Sequence, residues 1–264
     1  AKWVAQLYEG RLYRAFEIFW ARKMKLPIDE PKYPLAVLVF GSKAEYQRYV
    51  DRDLGPGQDM IAYYNLKTNR VAMYDLTVGQ RLPGEVMNDR RIDEVLQTPA
   101  AIYMVATMIH EAAHQLMFNR GVQTRFADTP LWLNEGAAMF FEAPDLSNKR
   151  GWRRPGLVFE QRLTNFRRQV NHRNEESIKR LITDDERLRA PETAGDGYAE
   201  AWAFTHFLIN RRAKEYTQYV KKISEKPSLE AVGKTERWRD FTDVFGADMA
   251  SLEKDFIKYI ARLR

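Results

Sequence analysis

Two histidines four residues apart, His110 and His114, with Glu111 directly after the first, constrain this chain more than any other feature. If both imidazoles serve one purpose, the segment is a helix, because residues i and i+4 lie on one helical face. Two ring nitrogens on that face can reach a single metal ion. Glu111 then stands about 100° round the helix, beside the ion rather than on it. A general base for a water activated by that ion has to stand there. The chain has only four histidines, so half of them lie within these five residues.

The flanks fit this reading. Residues 100–109 and 115–118 are apolar almost all round, the pattern of a buried helix. Thr98 followed by Pro99 offers an N-cap and a first-turn proline, and Gly121 a stop. Buried imidazoles and a buried carboxylate need a partner, since unpaired polar groups in an apolar setting are costly. A dication meets that need; core histidines hydrogen-bonded to neighbours are the plainer alternative.

A third ligand is expected 21 positions after His114. Glu135 interrupts the apolar run 131–142, Leu-Trp-Leu-Asn-Glu-Gly-Ala-Ala-Met-Phe-Phe-Glu. Asp128 and Pro130 provide a cap and an opening proline for this helix. Gly136 beside the glutamate lets another backbone approach closely. Two histidines and one glutamate leave a fourth tetrahedral position open, as catalytic sites do. A structural Glu135 would instead need a buried arginine. Glu142, two turns further along the same face, is either a hydrogen-bond partner of a ligand histidine or a solvated helix end.

Together, His110–His114 and Trp132-Leu133-Asn134-Glu135-Gly136 resemble the gluzincin peptidases, the clan of thermolysin and aminopeptidase N. The fuller strings IHEAAHQLMFN and PLWLNEGAAMFFE are most similar to an uncharacterised bacterial family of predicted peptidases within that clan. The resemblance runs over residues 35–212. It implies one Zn2+ per chain held by His110, His114 and Glu135, with Glu111 as the catalytic carboxylate. Asn134 matches the asparagine that precedes the ligand glutamate in that group, and with Glu142 it is assigned to support the ligands. Thermolysin-like enzymes carry an acidic residue four after the ligand; here that position is Met139. The Gly-x-Met-Glu-Asn motif of aminopeptidases is absent upstream, which favours an endopeptidase over an exopeptidase.

Upstream, Pro34–Phe40 reads as a buried strand, followed by a helix over 42–51. Met60–Tyr64 and Arg70–Tyr74, separated by the polar run Asn65–Asn69, form a hairpin signal. The clan pairs extended substrate with an open strand edge by β-augmentation. That role falls to Val71, Ala72, Met73 and Tyr74, unless this strand is interior with both edges already paired. Downstream, Leu188–Gly197 carries Pro191, Gly195 and Gly197 and reads as a loop leading into a helix at Tyr198. Hydrolysis of this kind needs a donor for the developing oxyanion. Tyr198 is the candidate, with a core aromatic as the alternative. His206 is expected to pack inside and His172 to be exposed.

Composition bounds what remains. A chain of 264 residues with 45% hydrophobic content buries a substantial core. No apolar run reaches the roughly 18 residues of a membrane span. Zero cysteines excludes disulfides and thiolate ligands. The net charge of +6 is spread over dispersed basic pairs such as Arg153-Arg154 and Lys221-Lys222, not the aromatic-interleaved stripe that nucleic-acid binding uses. No nucleic-acid partner is therefore expected, and nothing specifies an oligomeric state. Residues 4–19 and 249–263 carry the spacing of amphipathic helices that pack on the body. Because the first residue is not methionine, a trimmed leader and an extracytoplasmic setting (secreted, periplasmic or cell surface) are expected.

The expectation is an α+β, zincin-like fold in one domain over 1–264. A small mixed sheet with a hairpin packs on the motif helix in an upper lobe, 1–98. The zinc-binding helices span 99–142, and a helical lower lobe spans 143–264. The expected activity is zinc-dependent hydrolysis of a peptide or protein substrate. The rival is a catalytically silent, zinc-stabilised binding module of the cell envelope.

Overall fold

The computed structural model describes residues 2–75, 88, 90, 91, 94, 98–145, 147 and 152–264. Ala1 and most of 76–97, which belong to the expected upper lobe, lie outside the described residues. The architecture is α+β and mostly helical, with one three-stranded sheet. Residues 2–23 are helical throughout, with π turns at Tyr8–Leu12 and Ile18–Lys23. Their apolar stripe (Val4, Leu7, Leu12, Phe16, Phe19) is buried, as the 3.6-residue spacing requires.

Strand β1 (Ala36–Phe40) is followed by a helix, Lys43–Asp53, whose cap Ser42 accepts from the Glu45 amide at 3.2 Å. Strands β2 (Ala62–Asn65) and β3 (Arg70–Tyr74) form the hairpin. Its turn is held by Asn65 Oδ1, which accepts from the amides of Lys67 and Thr68 at 2.8 and 3.0 Å, and by Asn69 at φ 59°. The strand order is β1-β3-β2, with β1 parallel and β2 antiparallel to β3.

The order corrects one expectation. β3 is the central strand, so Val71, Ala72, Met73 and Tyr74 have no open edge to offer a substrate. Val71, Ala72 and Met73 are also fully buried. The reason is β1: sequence spacing pairs β2 with β3 but does not say where a parallel strand will dock. The sheet edge facing the motif helix belongs to β2.

The motif helix spans Pro99–Asn119, with Thr98 as N-cap in extended geometry and Pro99 in its first turn. A second apolar helix, Leu131–Glu142, packs on it. The long helix Pro191–Arg211 packs on the second one in turn. Two local readings are corrected here. Asp128 does not cap the second helix; Asp185 Oδ1 accepts from the Leu131 amide at 3.0 Å, while Asp128 binds Arg237 and the Val232 amide. The expected loop 188–197 is helical on both sides of Ala190, with Glu186–Arg189 before it and Pro191 opening Pro191–Arg211 after it. Gly197 serves close packing, since a Cβ there would meet the Arg187 carbonyl oxygen at 2.7 Å. No described helix is long and apolar enough to cross a membrane.

Candidate metal centre

One turn apart on the motif helix, His110 and His114 turn their rings to the same side, with Nε2 atoms 3.1 Å apart. Glu135, from the neighbouring helix, brings Oε2 to 3.1 Å from His110 Nε2 and 3.6 Å from His114 Nε2. Gly136, the next residue, packs against the long helix Pro191–Arg211. A Cβ there would lie 2.1 Å from Thr205 Oγ1 and 2.8 Å from the Ala201 carbonyl oxygen. The missing side chain lets the helices Leu131–Glu142 and Pro191–Arg211 close up beside Glu135.

The three atoms make a triangle with sides of 3.1, 3.1 and 3.6 Å. A tetrahedral site with bonds of about 2.0–2.1 Å has ligand–ligand edges of about 3.3 Å, so the triangle has the dimensions of a metal site. Hydrogen bonding points the same way. His110 Nδ1 lies 2.8 Å from Glu142 Oε2, and His114 Nδ1 lies 3.2 Å from Asn134 Oδ1. Both partners are acceptors, so each Nδ1 carries a proton, and a ring in its neutral form turns a lone pair inward at Nε2. Three acceptors then face one another, and only a proton or a cation among them relieves the repulsion. Among the described residues this is the group able to hold a metal ion.

Titration behaviour follows from the crowding. Burial works against a charged His110, yet Glu135 and Glu142 on either side outweigh it and hold its pKa well above 6.5. Burial also opposes charge on Glu135, but His114 and His110 overcome it and hold this carboxyl far below its ordinary range. Burial raises the Glu111 carboxyl above 4.5, and no partner fully reverses that. Glu111 Oε2 accepts from the Tyr64 amide at 2.7 Å, which ties the carboxylate to the outward edge of β2.

Glu142 sits seven residues after Glu135 and is 3% exposed. It accepts from His110 on one oxygen and from Arg162 Nε on the other, both at 2.8 Å. The residue four after the ligand, Met139, is fully buried in the apolar core. The anionic partner of the histidine comes three positions later.

A cleft of about 390 Å³ opens beside these groups, lined by His110, Glu111, Glu142, Arg162 and Tyr198 among others. Tyr198 therefore shares a cavity with the cluster. Its hydroxyl has no hydrogen-bond partner among the described residues. Burial, then the Glu135 and Glu111 carboxylates, push its pKa up, so it stays a proton donor. His206 is buried against Phe140, Trp202 and Tyr259, and His172 is exposed. A larger groove of about 700 Å³ runs between the N-terminal helical run and β1, away from the cluster.

Sequence reasoning missed two participants, Arg162 and the Tyr64 amide. Arg162 stands 20 residues from Glu142 on an amphipathic helix, Glu160–Gln169, where an arginine is ordinary. The Tyr64 amide is a backbone group with no sequence signal.

No curated protein matches the chain. A family model described as "Protein of unknown function (DUF1570)" matches residues 104–230, so the chain is similar to that family across both histidines, Asn134, Glu135, Glu142, Arg162 and Tyr198.

Proposed function

We propose that the protein is a zinc-dependent metallopeptidase of the gluzincin type that cleaves within peptide chains. The observation that carries this reading is the set of three inward-facing acceptor atoms at metal-ligand spacing, with Glu111 beside it and an open cleft in front. His110, His114 and Glu135 suit zinc, being two imidazoles and one carboxylate with hydrogen-bonded outer nitrogens. Bound there, zinc would supply Lewis acidity toward a water and a peptide carbonyl.

The chain's own residues account for the remaining steps. Glu111, raised by burial, is suited to take a proton from the attacking water as its oxygen bonds to the carbonyl carbon. The same carboxyl hands that proton to the departing amine as the carbon–nitrogen bond breaks. Tyr198, protonated and unpartnered, donates to the developing oxyanion. Residues 62 and 64 alternate with the pairs that bond β3, so their backbone groups line the outward edge of β2. An extended substrate would align along that edge by β-augmentation.

The test is metal content of protein purified without added metal, joined to cleavage of a diverse peptide library before and after chelation. About one zinc per chain with chelator-sensitive cleavage is expected. Glu111→Gln should keep the zinc and lose roughly two to four orders of magnitude in turnover. Zinc without cleavage of any peptide would favour a zinc-stabilised binding module; absence of zinc after reconstitution would overturn the reading.

A further inference from the structure

The partners of Arg162 are unlike those of two other buried arginines. Arg173 is saturated by Glu200 and both oxygens of Glu253, and Arg237 is shared between Asp128 and Asp185. Arg162 spends only Nε, on Glu142 Oε1. Both Nη groups lack a protein partner among the described residues, although the side chain is only 26% exposed and lines the cleft next to His110 and Glu111. The guanidinium carbon stands 5.8 Å from the centroid of the Tyr198 ring. The Glu142 bond on one side and this ring on the other hold the guanidinium in place. An end-on fork of donors that is fixed, partly dehydrated and unspent is built for a carboxylate.

The surroundings agree in sign. Gln161 Oε1 accepts from the Tyr103 hydroxyl at 2.7 Å, which leaves its amide NH2 free to donate. Asn165 adds a second neutral amide to the same cleft wall. The acidic groups nearby are already engaged: Glu142 by His110 and Arg162, Glu135 by the two histidines, Glu111 by the Tyr64 amide. With a dication in the triangle, those three carboxylates are matched by the ion and Arg162 together. An incoming anion then meets no excess of negative charge.

We infer that Arg162 forms a carboxylate-recognition subsite beside the metal centre. The preferred substrates then carry a carboxylate close to the scissile bond. The inference rests on the peptidase reading for the identity of the ligand as a peptide. A free chain terminus and an acidic side chain present the same chemistry to the fork.

The experiment uses zinc-loaded protein carrying Glu111→Gln, so that binding is measured without turnover, and a matched set of short peptides. The set compares a C-terminal acid with its amide, and a Glu side chain with Gln, in otherwise identical sequences. Calorimetric affinity should favour one carboxylate form by roughly ten- to a hundredfold, the range for a hydrogen bond to a charged group. Added Arg162→Gln should abolish that preference, and Arg162→Lys should keep part of it. Preference for the C-terminal acid identifies the chain end as the source; preference for Glu identifies the side chain. Equal affinity across every matched pair, or a preference that survives Arg162→Gln, overturns the inference. If Arg162→Gln fails to fold, the matched pairs on the otherwise parental protein and Arg162→Lys decide. The parental protein is assayed for cleavage of the same peptides. Binding preference without cleavage sinks the peptidase reading and keeps the subsite, whereas cleavage without preference does the reverse.

Discussion

Replacing Glu142 with glutamine preserves the side chain's shape and removes its charge, which isolates what that carboxylate does for His110. The native carboxylate accepts two bonds at 2.8 Å, one from His110 Nδ1 and one from Arg162 Nε. Glutamine offers one acceptor and one donor, so one of those donors must face an amide N–H. A lost charge-assisted bond costs about 1.5–3 kcal/mol, or roughly a ten- to hundredfold change in an equilibrium constant. The same range is typical when a hydrogen-bond partner of a metal-bound histidine is removed. A proton works in the opposite direction. In the metal-free protein, Glu135 and Glu142 hold the His110 pKa well above 6.5, so metal must displace a proton at neutral pH. Without the Glu142 charge that pKa falls and the competition weakens. Zinc affinity, read by competition with a chromophoric chelator, should therefore be closest between parent and Glu142→Gln under acid conditions. The gap should widen to ten- to a hundredfold as pH rises and His110 deprotonates in both proteins. A gap that is constant with pH, or absent under the most alkaline conditions, would refute the assigned role of Glu142.

Two further changes probe the scaffold. Burial holds His206 at a pKa of about 4, below the unfolded value near 6.5, so the fold favours its neutral form. The resulting stability is fully present above pH 6.5 and is lost as pH falls toward 4. The loss is about 2 kcal/mol between pH 7 and pH 5. Urea unfolding at the two pH values should show this fall, and His206→Gln should flatten it; an equal slope in the variant would refute the assignment. Gly136→Ala places a Cβ against Thr205 and the Ala201 carbonyl oxygen, forcing two packed helices apart at a cost of about 1–3 kcal/mol. Because Glu135 is the next residue, zinc affinity should fall with stability. Parental values of both would mean that the close approach is unimportant.

Features whose partners are near in sequence are legible from the residues alone. The i, i+4 spacing puts His110 and His114 on one face of a helix, whatever that helix packs against. Ser42 and the Asn65–Asn69 turn act through backbone groups two or three residues away. Glu135 stands out because a carboxylate in an apolar helix needs a cationic partner, and Gly136 because it sits where two helices touch. The residues mislead where one local signal fits two outcomes. Pro191 opens a helix as readily as it ends one, and Asp128 is as able to bind Arg237 as to cap a helix.

Sequence alone determined which atoms are available to a metal and that they lie on helices, since chemistry and helical period are local properties. Tertiary structure decided what surrounds them. It put β3 inside the sheet and β2 at the edge, set Glu142 rather than residue 139 against His110, and swung Arg162 over Tyr198. Each of those contacts joins segments linked by no periodicity. Each depends on how whole elements dock, and docking is settled by the burial of the entire core rather than by the residues that meet.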